Sequence, residues 1–251
     1  MNIRQTALIL ILAFIGIAIT GPSPAQGPTR LHVGNFSLTT PGGPLPDAWQ
    51  PLTFEKTTRH TKYDIVKEDK LAVLRAISND SASSLQRSLT IDAKAFPIVT
   101  WRWKTTNVLT KGDLSSKKGD DYAARLYINF AYDPAKADFI TRAKYKAAKL
   151  IFGTYPPLYC INYIWANKAP VGTRVLSPYT DRALMIVLES GPDRLDRWVV
   201  ERRNVFDDYR KAFGHDPPTI SSVAIMSDTD NTHENVTTFY GDIWFEKPTA
   251  K

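Results

Sequence analysis

Gly119-Asp120-Asp121-Tyr122-Ala123-Ala124-Arg125 runs directly into the apolar stretch Leu126–Phe130, and this junction decides the fold class. Side chains alternate between the two faces of a strand. An apolar face of this strand would carry Tyr122, Ala124, Leu126, Ile128 and Phe130. The opposite face would carry Asp121, Ala123, Arg125, Tyr127 and Asn129. One apolar and one polar face is typical of an antiparallel sheet that covers a core on one side.

A second polar string, Ser227-Asp228-Thr229-Asp230-Asn231-Thr232, follows the apolar run Val223–Met226 in the same manner. An unpaired carboxylate beside a core is costly, so both strings need partners. They predict either a ligand or metal site, or a structural network of ion pairs and turn hydrogen bonds. Both interpretations stay open at this level.

Strand-like runs separated by turn signals recur from about residue 53 to residue 246, which predicts an all-β sandwich. They do not alternate regularly with long helices, which argues against a doubly wound parallel sheet. Two helices are predicted between the strands. The first has Asp133 as N-cap and ends near Gly153, and the second is capped by Asn204 and ends near Gly214.

Residues 1–25 have the pattern of a secretory signal peptide. Arg4 gives a positive start, an apolar stretch follows, and Ser23 and Ala25 supply the small residues of a cleavage site. The stretch from Thr6 to Thr20 has 15 residues, short of the roughly 20 that span a bilayer. An uncleaved anchor is the alternative. We expect residues 26–251 to form a single periplasmic or secreted domain of a bacterium, with no transmembrane segment after cleavage.

Charge and cysteine content narrow the function classes. The net charge is +7 for the whole chain and +6 without residues 1–25, where Arg4 is the only charged residue. A basic balance suits an anionic glycan or membrane, and it equally suits ordinary solubility. Because no nucleic-acid motif accompanies it, we expect no nucleic-acid partner.

Cys160 is the only cysteine, so an internal disulfide is excluded, and its apolar surroundings predict a buried, inert thiol.

Signatures of known enzyme classes are mostly missing. His233-Glu234 lacks the second histidine of a zinc helix, and the four histidines show no ligand spacing. A Gly-x-Ser-x-Gly nucleophile turn is also absent from the sequence. We therefore predict no catalytic residue. Paired aspartates from the two strings, such as Asp121 with Asp228, still leave a glycan-cleaving mechanism open.

The second polar string is rich in oxygen donors. Such a string suits a hard cation such as calcium. Its spacing does not match an EF-hand loop, so a site of another design, with Glu234 or Asp242 contributing, is one interpretation. A network of Asx turns is the other. We assign no cofactor on this basis and leave the metal undetermined, with calcium as the candidate.

Aromatic residues alternate along two strand candidates. Trp101 and Trp103 share one face of Ile98–Lys104, and Tyr163 and Trp165 share one face of Leu158–Ala166. An exposed row of rings would suit a sugar, whereas burial removes a large apolar area from water. We expect Trp101 and Trp103 in the core, and we place Tyr163 and Trp165 near the ligand site.

Several linked motifs resemble an exported bacterial family known as domain of unknown function 3047. They are Trp101-Arg102-Trp103, the string from Lys118 to Tyr127, Tyr163-Ile164-Trp165, Asn204-Val205 with Asp208-Tyr209, Phe213-Gly214, the stretch from Ile225 to Thr232, and Tyr240-Gly241-Asp242-Ile243. The resemblance covers roughly residues 32–246 and implies a galactose-binding-like jelly-roll β-sandwich, similar to some carbohydrate-binding modules. It implies no established activity. Gly241 stands where related sandwiches often have a second aspartate, which weakens the transfer of a calcium site.

The leading expectation is an exported β-sandwich that binds carbohydrate or cell-envelope glycan without modifying it. The expected ligand-binding residues are Asp120, Asp121, Arg125, Tyr163, Trp165, Asp228, Asp230 and Asn231. The second hypothesis is a glycan-acting hydrolase or lyase that uses paired aspartates. The third is an envelope scaffold protein that makes contact through the basic helix ending near Gly153. The sequence does not specify the ligand or the oligomeric state.

Overall fold

The computed structural model describes residues 28–55, 57–135, 137–152 and 155–248, so the predicted signal peptide lies outside the described residues. Within them the chain forms fourteen strands and two α-helices. The strands are β1 Arg30–Gly34, β2 Gln50–Leu52, β3 Lys62–Glu68, β4 Leu71–Asn79, β5 Ser84–Ile91, β6 Ile98–Thr105, β7 Ala124–Phe130, β8 Tyr159–Ala166, β9 Arg174–Ser177, β10 Thr180–Ser190, β11 Val199–Asn204, β12 Ile220–Met226, β13 Asn235–Tyr240 and β14 Ile243–Glu246. The helices are α1 Phe139–Phe152 and α2 Val205–Phe213.

The strands form two seven-stranded sheets. Sheet A has the order β1-β14-β6-β13-β4-β3, and β11 also pairs with β6. Sheet B has the order β2-β5-β12-β7-β8-β10-β9. The predicted all-β jelly-roll sandwich is confirmed.

Strands β8 and β10 run parallel, in contrast to the antiparallel pairing around them. The chain leaves β8, forms the edge strand β9, and turns back into β10, which lies between them. The central part of β10, from Leu184 to Leu188, is an unbroken run of buried apolar residues. Such a run is typical of a strand covered on both faces.

The core lies between the two sheets and is rich in aromatic rings. Trp101 of β6 contacts Tyr163 of β8, with ring centroids 5.3 Å apart. Trp103 faces Trp165 at 6.2 Å. Both predicted core tryptophans are therefore in the core, and Tyr163 and Trp165 are their packing partners.

The chain from Thr238 to Glu246 is divided at Gly241 between two strands, β13 and β14. Both halves, β13 and β14, pair with β6. The amide of Gly241 donates to the carbonyl of Arg102 at 2.9 Å, and a Cβ atom at position 241 would lie 2.4 Å from Arg102 Nε. A larger residue at this position would therefore require the Arg102 side chain to move.

Helix α1 begins later than predicted, at Phe139. Asp138, rather than Asp133, accepts hydrogen bonds from the Thr141 amide at 2.8 Å and the Thr141 hydroxyl at 2.7 Å. Asp133 instead accepts from the Ala135 amide at 2.9 Å, so residues 133–135 form a turn ahead of the helix. The prediction of Asp133 as N-cap is therefore wrong.

Helix α2 begins and ends where the sequence predicts. The side chain of Asn204 accepts from the Asp207 amide at 3.1 Å, and Gly214 closes the helix with a φ of 76°. That left-handed conformation favours glycine. Across the ranges that the structure covers, no helix combines the length and apolar character needed to cross a membrane.

Candidate functional site

The two polar strings meet because β7 and β12 are antiparallel neighbours in sheet B. The register pairs Arg125, near the start of β7, with Met226, the last residue of β12. The string that precedes β7 and the string that follows β12 therefore lie at the same end of the sheet. Leu126, Ile128 and Phe130 face the core, as predicted from their alternation.

Arg125 and Asp228 form a buried, bidentate ion pair. Arg125 Nε donates to Asp228 Oδ1 at 2.7 Å, and Arg125 Nη2 donates to Asp228 Oδ2 at 2.5 Å. Only 3% of Arg125 and 2% of Asp228 is exposed. The Tyr122 amide also donates to Asp228 Oδ1, at 3.3 Å. Hydrogen bonds of this charged, bidentate kind fix both side chains in place.

The guanidinium of Arg125 also contacts the string that precedes its own strand. Its Nη1 donates to the Tyr127 hydroxyl at 2.9 Å, and its Nη2 donates to the Asp120 backbone carbonyl. The ring of Tyr122 lies under it, 4.3 Å from Arg125 Cζ. The nearer carboxylate oxygen of Asp120 is 3.7 Å from Nη2, beyond hydrogen-bond distance. That oxygen is buried and has no hydrogen-bond partner in the described parts of the chain.

Asp121 ties the first string to the second. Its Oδ1 accepts from Asn231 Nδ2 at 3.0 Å, and its Oδ2 accepts from the Thr232 amide at 2.7 Å. Asp121 is 1% exposed. Its carboxylate therefore organises the loop that carries Asp228 and Asp230.

Carboxylate oxygens of Asp121, Asp228 and Asp230 lie within 4.8 Å of one another. We call these residues, together with Asp120 and Arg125, the acidic pocket. Four carboxylates share one guanidinium there. Burial raises the pKa of Asp120 and of Asp228, and Arg125 opposes the rise in both. Burial, followed by repulsion from Asp121, also raises the pKa of Asp230. The excess negative charge of the acidic pocket is thus poorly solvated.

The acidic pocket opens into a cavity of about 370 Å³ on the face of sheet B that points away from the core. Aromatic side chains of Phe54, Tyr127 and Tyr179 share its lining with Asp120, Arg125, Asp228, Asp230 and Asn231. A second cavity, of about 270 Å³, shares Phe54, Tyr127 and Met226 with the first. Together they form one groove along the sheet, which we call the outer groove.

Six predicted site residues are brought together: Asp120, Asp121, Arg125, Asp228, Asp230 and Asn231. Tyr163 and Trp165 are not among them. They are 0% and 1% exposed and point from β8 into the core, away from the outer groove. Alternation along β8 predicts correctly that they share a face, but that face packs against Trp101 and Trp103.

The sequence analysis does not predict three aromatic residues of the outer groove, Phe54, Tyr127 and Tyr179, as ligand contacts. Tyr127 lies on the polar face of β7, two positions from Arg125. Alternation therefore predicts which face of the strand carries Tyr127, but it does not predict that the side chain lines the groove. Phe54 and Tyr179 come from loops distant in sequence, and no local pattern marks them. They are 39% and 56% exposed.

Glu234 and Asp242, the additional candidate metal ligands, lie outside the acidic pocket, and Cys160 is more exposed than predicted. Glu234 accepts from the Thr110 amide at 2.9 Å, and Asp242 accepts from the Ser37 amide at 2.8 Å. Both hold loops and stand outside the acidic pocket. Cys160 is partly exposed and lines the second cavity of the outer groove, but burial raises the pKa of its thiol to about 12. The raised pKa disfavours the reactive thiolate. The prediction that Cys160 is buried is wrong, because the side chain is partly exposed at the cavity.

Another buried aspartate forms the Asp208 cluster, which consists of Asp208, Arg203, Arg174 and Tyr163. Arg203 donates from Nε and Nη2 to the two carboxylate oxygens of Asp208, at 3.0 and 2.7 Å. Arg174 Nη1 donates to the same carboxylate at 3.0 Å, and the Tyr163 hydroxyl donates at 2.9 Å. Every oxygen of Asp208 is thus partnered, which indicates a structural role for this cluster.

Comparisons with solved structures give similarities at low identity. The carbohydrate recognition domain of Emp47p is 11% identical, with a TM-score of 0.40 over 88% of this chain and 96% of that one. Endoglucanase 3 of family GH12 from Trichoderma harzianum is 9% identical, with a TM-score of 0.37 over 80% and 98%.

The glycoside hydrolase domain of Endo-D from Streptococcus pneumoniae R6 is 8% identical, with a TM-score of 0.32 over 81% of this chain. This chain spans only 22% of that one. No curated protein matches the sequence. A family model does match, over residues 47–244, which include both polar strings and the Asp208 cluster. The chain therefore belongs to the family described as protein of unknown function DUF3047.

Proposed function

We propose that this protein binds a carbohydrate in the outer groove, and that a cell-envelope glycan is its physiological ligand. The observation that carries the proposal is the joint lining of one open cavity by fixed carboxylates and by aromatic rings. The choice of an envelope glycan rests on the predicted export of the chain.

Sugar hydroxyls are hydrogen-bond donors, and the acidic pocket offers acceptors in fixed positions. Asp228 and Asn231 line the cavity, where Asp228 is held by Arg125 and Asn231 is held by Asp121. Acceptors that are already ordered lose little conformational entropy when a ligand binds, which favours affinity. A neutral or basic sugar suits this pocket better than an acidic one, because the pocket holds more carboxylates than guanidinium groups.

The aromatic side chains supply the apolar part of the site. Sugar rings have faces of C–H groups that pack on flat aromatic surfaces. Tyr179 is 56% exposed and Phe54 is 39% exposed at the cavity, so both can accept such contact without rearranging the core. Mixed polar and aromatic lining is typical of small-ligand sites.

The proposal is tested by a glycan array followed by calorimetric titration of the best ligand. We expect Tyr179→Ala and Phe54→Ala to weaken binding at least about fivefold, since each removes a packing contact of about 1 kcal/mol or more. Phe139→Ala is the matched control, because Phe139 is a 78% exposed aromatic residue on α1. Absence of binding by the folded protein to any envelope glycan, or equal affinity for all three variants, would overturn the proposal.

A glycan-acting hydrolase or lyase is the second candidate, and Asp120 favours it. Its carboxylate is buried at the cavity, and the pKa of that carboxyl is raised by burial, as a general acid requires. Asp230 lines the same cavity and would be the second carboxylate. If Asp120→Asn abolishes release of reducing sugar from a bound glycan while affinity is retained, the enzyme is favoured. Binding without turnover by the native chain excludes it for that glycan.

A further inference from the structure

The arrangement of the acidic pocket has a geometry that suits a metal ion. Oxygens of Asp121, Asp228 and Asp230 lie within 4.8 Å of one another. Calcium–oxygen distances are about 2.3–2.6 Å, so two oxygens up to about 5 Å apart can bind the same ion. The three carboxylates therefore meet the distance requirement without any movement of the backbone.

Buried oxygens without partners are the independent second observation. Asp120 is 8% exposed, lines the cavity with Asp228 and Asp230, and has an Oδ1 atom with no hydrogen-bond partner in the described chain. The hydroxyl of Thr232, whose amide binds Asp121, is likewise buried and without a partner there. Buried polar atoms are nearly always satisfied in folded proteins, so the Asp120 oxygen, which belongs to a residue of the cavity lining, indicates a missing ligand.

The net negative charge of the acidic pocket also favours a bound cation. Within the described chain, both carboxylate hydrogen bonds of Arg125 go to Asp228, and its Nη2 lies 3.7 Å from Asp120 Oδ1. With all four aspartates ionised, one guanidinium leaves three negative charges unbalanced in a largely buried cluster. Uncompensated buried charge is strongly unfavourable, and a divalent cation would remove most of it.

The candidate ligands are also fixed before any ion binds. Asp121 accepts one hydrogen bond on each oxygen, and Asp228 is held by Arg125. A carboxylate offers about four lone-pair sites, so each of these groups can still bind an ion. Asp230 is the most exposed of the three and stands at the entry from solvent. The guanidinium nearby reduces affinity for a cation.

We infer that the acidic pocket binds one divalent, oxygen-preferring cation of the calcium class through Asp121, Asp228 and Asp230, with Asp120 facing the ion. The positive charge of Arg125 places the dissociation constant near the weak end of calcium sites, about 10⁻⁴–10⁻³ M. This inference does not depend on the proposed sugar site, because the ion would bind without any glycan.

The test is a calorimetric titration of chelator-treated protein with CaCl₂, in the absence of sugar, together with a thermal melt. We expect one site and a rise in Tm with calcium concentration, since the ion binds the folded state alone. Asp230→Asn should weaken the binding at least about tenfold. Asp193→Asn is the matched control, because Asp193 is exposed in the turn after β10 and outside the acidic pocket.

Two results would overturn the inference. One is the absence of both heat and a Tm shift with CaCl₂ or MgCl₂ up to about 5 mM, well above the expected dissociation constant. The other is Asp230→Asn binding calcium as tightly as the native chain, because the ion would then lie elsewhere. Circular dichroism establishes that each variant is folded, and Asp120→Asn provides a second variant in which binding should weaken.

Discussion

The acidic pocket and the Asp208 cluster are both made of buried aspartate and arginine, yet their charge ratios are opposite. In the acidic pocket four carboxylates share Arg125, and the buried Asp120 oxygen has no hydrogen-bond partner in the described chain. In the Asp208 cluster one carboxylate receives two arginines and a tyrosine hydroxyl. The first opens into a cavity of about 370 Å³, and the second is joined to the core through its Tyr163 side chain.

This difference in charge balance distinguishes a candidate ligand site from a cluster with a structural role. A charge cluster whose donors and acceptors match needs nothing further and serves to hold strands and helices together. A cluster with excess acceptors at a cavity is incomplete without a ligand, an ion or bound protons. Both clusters lie within the family match, so membership alone does not tell them apart. Two substitutions test the comparison, and a third tests a partly buried carboxyl outside both clusters.

The largest effect is expected from Arg125→Met. Removing the guanidinium leaves Asp228 buried without its partner, at a cost of about 3–5 kcal/mol in the free energy of unfolding. Guanidinium chloride denaturation measures this loss. Arg125→Met combined with Asp228→Leu should recover part of it, because the double variant removes the buried Asp228 charge together with its partner, although the other three carboxylates remain. A loss below about 1 kcal/mol in the single variant would show that the pair is not essential to the fold.

A smaller loss is expected from Asp208→Asn. The side chains of Arg203 and Arg174 are 32% and 30% exposed, so both can turn towards solvent once the carboxylate is gone. We expect a loss of about 2–3 kcal/mol, from charged hydrogen bonds alone. Calcium and glycan titrations of the folded variant should match those of the native chain. Weaker binding of either ligand would contradict the structural role of the Asp208 cluster.

The smallest effect concerns Glu201, a partly buried carboxyl that lies outside both clusters. Its Oε1 is buried without a hydrogen-bond partner among the described residues, and burial, with repulsion from Glu189, raises the pKa of its carboxyl from 4.5 to about 7. The folded state thus retains a proton that the unfolded chain releases. Stability therefore falls as pH rises from about 4.5 to about 7, by about 1–2 kcal/mol once partial exposure is allowed for.

Glu201→Gln cannot ionise, so it should be more stable than the native chain at pH 8 and nearly equal to it at pH 4. Denaturation curves at several pH values measure the difference. Curves that stay parallel across this range would show that Glu201 does not titrate in the folded state. Asp193→Asn again serves as the surface control, because it removes an exposed carboxylate instead of a buried one.

The alternation of residues in β7 and the polar strings predicted much of the fold and most of the acidic pocket. Alternation fixes which residues share a face, and Leu126, Ile128 and Phe130 are in the core as expected. It does not fix which face is buried when both are apolar. For this reason Tyr163 and Trp165 were predicted near the ligand site, whereas they lie on the inner face of β8, in the core.

Other features depend on contacts between distant parts of the chain. Phe54 and Tyr179 reach the outer groove from loops whose positions follow from the whole sandwich. The parallel pairing of β8 and β10 depends on where the chain crosses over, although the unbroken apolar run in β10 was a signal for it. Helix α1 begins at Phe139 because Asp138, and not Asp133, captures the Thr141 amide.

The edges of sheet B have a consequence for how a partner can be recognised. One edge is β2, with three residues that include Pro51, and the other is β9, with four residues. Such short edges expose few free amides and carbonyls, so they offer little for a peptide to extend the sheet by main-chain pairing. Recognition at this sheet must therefore rely on side chains across its open surface. The same short edges also limit edge-to-edge pairing of sheet B with another chain.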